Sequence, residues 1–373
     1  MNPQSVFCPN INCHARGQQD KENIKVHSRA EKRYNCTECG TTFSARKGTL
    51  FYGLKTDSVT VMLVLTLLAF GCPIPAIVKS FGFDERTVKK WWLRAGEHCE
   101  AVHATVVGQN QLDLKQVQAD EIKVKTQGKS VWMAFSMMVS TRLWLGGAIS
   151  EHRDKQLIQQ VADQIRLIAL CRPLLLAVDG LSSYVGAFRR AFRSPLPRRG
   201  KRGRNRLISW PDIAIVQVVK QRSAGNFNVD RRIVHGGQAL VERLLAQSLG
   251  GKVINTAYIE RLNGTFRQRL SNLARRTRHL ARQTETVVAG MYIVGCVHNF
   301  CETHKSLRVR LLVGSRGFRW VQRTPAIAAG LTDHVWSMQE LWSYRVPIPT
   351  WTPPSRRGRP STVTLKLIQK WCL

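Results

Sequence analysis

The chain has 373 residues, 43% of them hydrophobic, enough apolar material for one large core or roughly two to three smaller ones. Its 57 Lys and Arg against 24 Asp and Glu leave a formal charge of +33 and a pI near 10.7. Such an excess repels itself in the compact state and argues against a chain that works without an anionic partner. The basic residues fall in several blocks and not beside one apolar helix, which points to nucleic acid and away from a membrane surface.

No secretory signal opens the sequence, so a reducing cytoplasm, at the nucleoid, and free thiols are expected. Within residues 1–53, Cys8-x4-Cys13 is followed by Cys36-x2-Cys39. Two closely spaced pairs can give four thiolates to one tetrahedral zinc, whose binding would fold a segment with little core of its own. His14 and His27 are candidate substitutes in the ligand set. Cys72, Cys99, Cys171, Cys296, Cys301 and Cys372 lie in apolar or helical contexts and read as small core residues. The basic loop Arg29–Arg33 and Arg46-Lys47-Gly48 would sit on this ribbon, next to DNA.

Residues 54–105 read as a helical DNA-binding domain. Val59–Val78 is 20 residues without a charge. Gly71-Cys72-Pro73-Ile74-Pro75 interrupts it, which predicts two buried helices and no membrane span. A turn at Gly82 leads to a third helix capped by Asp84. Helix, short helix, Gly turn and basic helix form a helix-turn-helix pattern, with Thr87, Lys89, Lys90 and Arg94 offered to DNA and Trp91, Trp92 or Leu93 to the core.

From residue 112 to 312 the pattern is α/β. A first strand covers Gln116–Ala119 and ends at Asp120-Glu121. Ser130–Val139 and Arg142–Ile149 read as strands joined at Ser140-Thr141, and Asp154–Leu170 as an amphipathic helix. Leu174–Val178 is a continuous apolar run, hence a buried strand, ending on Asp179-Gly180. A helix over Ser183–Phe192, a basic loop over Pro195–Arg206, a strand over Ile213–Val219 and a helix over Gln238–Leu249 follow. Ile254–Arg282 then reads as one helix, with Asn255 and Thr256 at its start. Glu260, Asn263, Gly264 and Arg267 share a face at spacings of three, four and seven. Gly264 costs about 1 kcal/mol against Ala in a helix, which predicts a close approach there. Seven arginines (Arg261, Arg267, Arg269, Arg275, Arg276, Arg278, Arg282) surround the one acid. A further helix spans Glu285–Cys301. Residues 313–373 form a C-terminal segment with a Pro-rich basic tail, whose Arg357-Gly358-Arg359-Pro360 matches a minor-groove hook core.

Three acids stand where an α/β sheet holds catalytic groups: Asp120 and Asp179 after strands, Glu260 on a late helix. Together they suit Mg²⁺ or Mn²⁺, and a pair of such ions suits in-line displacement at phosphorus by water or a 3′-hydroxyl. Arg261, Asn263, Arg267, Arg275, Arg276 and Arg278 would grip phosphates. Glu121 competes with Asp120, and Asp212 or Glu242 with Glu260; Asp179 alone would equally cap the next helix.

Gln118-Ala-Asp-Glu-Ile-Lys-Val-Lys125, Ala177-Val-Asp-Gly-x-x-Ser-Tyr184, and Asn255-Thr-Ala-Tyr-Ile-Glu-Arg-Leu-Asn-Gly-Thr-Phe-Arg267 with downstream Arg275-Arg-Thr-Arg278 resemble a bacterial insertion-sequence DDE transposase. The insertion-sequence-one-like group is the nearest, with a zinc ribbon and helix-turn-helix ahead of the catalytic domain. The resemblance implies a ribonuclease-H-like mixed sheet with flanking helices and an Asp120–Asp179–Glu260 triad. It also implies cleavage at transposon ends, transfer of the freed 3′-hydroxyl into target DNA, and homo-oligomers on paired ends. A Tyr-Asn and Arg-Pro-His pattern of related enzymes reads here as His298-Asn299 and Thr303-His304-Lys305, which assigns His304 to packing or capping. Two other functions fit the composition: a non-catalytic zinc and helix-turn-helix DNA-binding protein (a decayed transposase or a repressor), and a nuclease that cleaves without joining.

Overall fold

The computed structural model describes residues 2–128, 130–197, 203–223, 226–277, 279–313, 317–353, 358 and 361–371. Arg278 and all of the minor-groove hook core except Gly358 lie outside the described residues. The chain divides into two compact units, Met1–Ser58 with Trp342–Leu373, and Val59–Leu341.

In the first unit β1 (Ile24–Ser28), β2 (Arg33–Cys36) and β3 (Thr42–Ser44) form an antiparallel sheet in that order. Val6, Ile24, Tyr34 and Phe43 make a small core with Cys8, Cys13 and Cys36. Gly40 takes φ +68 at the turn after Cys39, a conformation that a side chain would strain. The C-terminal segment belongs to this unit. The Arg345 guanidinium donates to the carbonyls of Lys47 (3.0 Å), Ser5 (3.1 Å) and Ala45 (2.7 Å), fixing three separate points of the N-terminal chain.

The second unit begins with α1 (Ser58–Ala69), α2 (Ile74–Phe81) and α3 (Glu85–His103). Gly71 at φ +92 and Pro73 at the start of α2 break the apolar run as expected. No helix among the described residues is long and apolar enough to cross a membrane. Asp84 caps α3 by accepting from the Arg86 N–H at 2.8 Å, and Trp91 and Trp92 are buried.

The main sheet contains β4 (Gln116–Lys125), β5 (Ser130–Met138), β6 (Trp144–Ser150), β7 (Leu174–Asp179), β10 (Ile213–Ser223) and β11 (Asn226–His235). Between β7 and β10 lies a small hairpin, β8 (Arg193–Leu196) with β9 (Arg206–Ser209). The order is β11-β10-β7-β4-β5-β6, with β4, β7 and β10 parallel and the remaining pairs antiparallel. The fold is therefore mixed α/β. Strand β4 does not end at Asp120. It runs on to Lys125 because β5 pairs along its whole length, with Asp120 opposite Phe135 and Lys125 opposite Ser130. Strand β10 likewise continues past Val219 and pairs with β11, an edge strand that the sequence pattern does not show.

Helices α4 (Lys155–Ile168, capped by Asp154), α5 (Ser182–Ala191), α6 (Gln238–Gln247), α7 (Ala257–Arg269) and α8 (Thr284–Cys296) flank the sheet. The long basic stretch is not one helix to Arg282: α7 stops at Arg269, and Leu270 turns extended so that Leu270 and Leu273 enter the core. Gly264 is exposed, and nothing lies within 4 Å of where its Cβ would be, so the expected close approach does not come from this chain. A close approach of helices is found instead at Gly96 of α3, where an added Cβ would stand 2.3 Å from the Ala289 Cβ of α8.

A π-helical turn, Val297–Cys301, extends α8 into the core. His298 is buried there and donates from Nε2 to the Arg142 carbonyl at 2.9 Å. His304 packs edge-on against it at 5.1 Å, so both serve packing. Burial pushes the His298 imidazole down to about 3, against the Arg142 carbonyl that favours its charge. The unfolded imidazole titrates near 6.5, so protons favour the unfolded chain as pH falls through that value and until it reaches the folded value. Between pH 6.5 and 4.5 this group is expected to cost roughly 2–3 kcal/mol of stability. Urea denaturation of His298→Gln, whose amide can still donate to Arg142, should show that much less acid sensitivity. An acid loss equal to that of the parent protein would contradict the assignment.

Candidate functional site

The parallel register places the acids. Gln116 pairs with Leu175 and Gln118 with Ala177, so two residues further Asp120 stands level with Asp179 at the end of β7. Asp120, Glu121 and Asp179 each bring one carboxylate oxygen within 4.8 Å of the others. The structure thus brings Asp120 and Asp179 together as expected and adds Glu121 beside them. Glu260 is not in that group, but it lines the same cleft of about 520 Å³ with Asp120, Asp179, Lys220, Thr256, Asn263, Arg267 and Arg275.

Each carboxylate has its own setting. Asp120 accepts from the Glu121 N–H at 2.9 Å and from Asn263 Nδ2 at 2.6 Å. Burial, with the Glu121 charge second, pushes its carboxyl up to about 7 despite these bonds. Glu121 is buried, accepts from the Tyr184 hydroxyl at 2.7 Å and pairs with Arg153. Burial and then the Asp179 charge raise it, against the bonds from Tyr184 and Arg153. Arg153 also reaches Asp179 Oδ2 at 3.0 Å, bridging the two acids, with its guanidinium 5.2 Å from the Trp132 ring. Asp179 Oδ1 accepts from the Leu181 N–H at 2.9 Å, so it does cap the following turn as well. Glu260 pairs with Lys220 and accepts from Thr256 Oγ1 at 2.7 Å. Burial raises its carboxyl, but these partners outweigh burial and hold it below the usual value.

Gln118, which sequence reasoning passed over, aligns α7 with the acids. Its Oε1 accepts from the N–H groups of Tyr258 and Ile259 at 3.0 Å each, and its Nε2 donates to the Asn255 carbonyl at 2.7 Å. The free N–H groups of α7 are therefore capped by a strand side chain and by Asn255 Oδ1, while Thr256 turns its hydroxyl to Glu260. Nothing in the sequence singles it out, since β4 mixes polar and apolar residues and buries a second glutamine, Gln116. Asn263 is 2% exposed, and among the described residues its Oδ1 has no hydrogen-bond partner although it sits at the cleft. A buried orphan acceptor beside crowded carboxylates is a place where a cation or a donor ligand fits.

The remaining basic residues fall in three groups. Arg267 and Arg275 line the cleft. Arg261, over the Tyr258 ring at 5.8 Å, and exposed Arg276 are not among its lining residues. On α3, Thr87, Lys90 and Arg94 share one side by spacing, and Lys89 pairs with Glu85. The competing acids are elsewhere: Asp212 pairs with Arg243 at 3.6 Å, and Glu242 accepts from Gln238 at 2.6 Å.

A second cluster lies in the first unit. Cys8, Cys13, Cys36 and Cys39 bring their sulfurs within 4.8 Å of one another, with Cys8–Cys39 at 3.7 Å and Cys13–Cys36 at 3.9 Å. Neither His14, stacked on Trp371 at 4.7 Å, nor exposed His27 joins them. Asn23 donates to Cys36 Sγ at 3.3 Å. This set could hold a metal ion.

Comparison with protein-family models and with curated proteins returns no match.

Proposed function

We propose that the chain is a DNA strand-transferring enzyme of the transposase type. It would bind double-stranded DNA and break and join phosphodiester bonds with the help of divalent ions. One observation carries this reading: Asp120, Glu121 and Asp179 crowd together in a cleft that Glu260 also lines and that Lys220, Arg267 and Arg275 border. Crowded acids ringed by cations suit a phosphate chain held beside hard cations. A sheet with three antiparallel strands leading into two parallel ones, and acids at their junction, supports the ribonuclease-H-like reading.

Magnesium or manganese held by Asp120 and Asp179, with Glu121 beside them and Glu260 lining the same cleft, would supply Lewis acidity at the scissile phosphate. Asn263 would hold the Asp120 carboxylate in position, and Arg267 and Arg275 would bind the flanking phosphates. Thr87, Lys89, Lys90 and Arg94 of α3 are assigned to duplex binding, and the protein to homo-oligomers at the nucleoid. The four-cysteine cluster is assigned to structural zinc. Two of its sulfur separations, Cys8–Cys39 at 3.7 Å and Cys13–Cys36 at 3.9 Å, agree with the edge of about 3.8 Å that four zinc–sulfur bonds of about 2.3 Å give in a tetrahedron.

Arg153 is shared between Glu121 and Asp179, and Lys220 pairs with Glu260; these internal partners favour a second reading, a DNA-binding protein without catalysis. Incubation with supercoiled plasmid and Mn²⁺ separates the two. Nicking that chelator abolishes, and joining of a labelled 3′-hydroxyl end, are expected. Good binding without metal-dependent nicking would leave the second reading, and nicking without joining would make the protein a nuclease.

A further inference from the structure

Strands β12 (Val309–Val313) and β13 (Gly317–Val321) pair as an antiparallel hairpin, and every residue of both is exposed. A two-stranded hairpin standing alone is marginal in water and gains from whatever covers it. Its two faces differ. The register sets Arg310 opposite Trp320 and Leu312 opposite Phe318 on one face. On that face the Arg308 guanidinium lies 4.1 Å from the Trp320 ring and the Arg310 guanidinium 3.9 Å from the Phe318 ring. The other face carries Val309, Leu311, Val313, Arg319 and Val321. From Leu307 to Arg323 the sequence has no Asp or Glu.

We infer that the Arg308–Trp320–Arg310–Phe318 face binds unpaired bases of a nucleic-acid strand. Guanidinium groups layered on aromatic rings offer charge to phosphates and flat faces to bases at the same place. The absence of any acid along the hairpin matches a polyanion. The two rings stand at 88° with centroids 5.9 Å apart, so the continuous stack of a duplex cannot lie on both. Separate, unstacked bases can each meet one ring. The inference rests on the nucleic-acid partner proposed above and not on its chemistry.

The test uses the full chain with two probes, a short fluorescent oligothymidylate and a blunt duplex of equal length, titrated over a range of salt. Arg308→Ala/Arg310→Ala/Trp320→Ala is expected to weaken oligothymidylate binding about tenfold or more and to flatten its salt slope by about 1.4, for two lost single-strand phosphate contacts. Duplex affinity should change less than about twofold. Leu311→Ala/Val313→Ala, on the opposite face, should alter neither. Unchanged oligothymidylate binding in the triple variant, an equal loss on duplex, or an equal loss in the opposite-face variant would overturn the inference. A parent protein that binds duplex but not oligothymidylate sinks this inference alone. One that binds neither sinks the proposed function with it.

Discussion

Asp179→Asn is expected to lower metal-dependent nicking and joining on the order of a thousandfold, about 4 kcal/mol of transition-state stabilisation, with duplex binding retained. The geometry makes this substitution informative. Asp179 Oδ1 accepts from the Leu181 N–H, a bond that the Asn carbonyl oxygen can keep. Oδ2 faces Arg153, and the charge lost there is partly covered because Arg153 still pairs with Glu121. The melting temperature should therefore move little while the negative charge of the cluster falls by one. Asp120→Asn should behave alike in the assay, since the new carbonyl oxygen keeps the Glu121 N–H and Asn263, by turning its amide, can accept from the new NH2 with Oδ1. Glu121→Gln should differ: it disturbs a buried network with Tyr184 and Arg153, so loss of stability should accompany any loss of activity. If Asp179→Asn nicks plasmid as fast as the parent protein, the carboxylate cleft is not where the chemistry occurs.

The pattern of what sequence could reveal follows from how far each contact reaches. Leu174–Asp179 was legible because a strand buried on both faces must be continuously apolar, and the acid ending it stands out. The four cysteines were legible because chelate spacing is local. Strand β11 was not, because an edge strand with Asp230, Arg231 and Arg232 exposes too much to show an apolar period. The end of α7 was hidden for the opposite reason. Arginine-rich sequence has good helix propensity, and only burial of Leu270 and Leu273 turns the chain away. Glu121 was seen as a rival to Asp120, but its ties to Arg153 and Tyr184 join residues 32 and 63 positions away. Gln118 capping α7 spans 140 and 141 positions, and Arg345 holding the cysteine-bearing segment about 300, beyond any local pattern.

Cys36→Ser is expected to empty the four-cysteine site of zinc and unfold most of residues 1–58, leaving the second unit's melting transition in place. The core around these thiols is small: Val6, Ala15, Ile24, Tyr34 and Phe43 pack with Cys8, Cys13 and Cys36. On the zinc reading, so little apolar surface leaves much of the entropy of ordering the segment uncompensated, and metal binding, at about 10–16 kcal/mol for such sites, would supply the difference. Without a metal the sulfurs gain almost nothing from one another. Burial pushes the Cys13 thiol up to about 12 and Cys8 higher still, so neither ionises near neutral pH. At Cys39 burial raises the thiol, but bonds from Thr41 and Asn10 outweigh it and bring the thiol down to about 6. A serine at position 36 removes a soft ligand and leaves a buried hydroxyl in its place. Zinc content, near-UV circular dichroism and limited proteolysis read the outcome together. Parent protein purified without zinc, or residues 1–58 resisting protease equally with and without chelator, would show that the segment folds on its hydrophobic contacts and that the cluster is only a cluster of thiols.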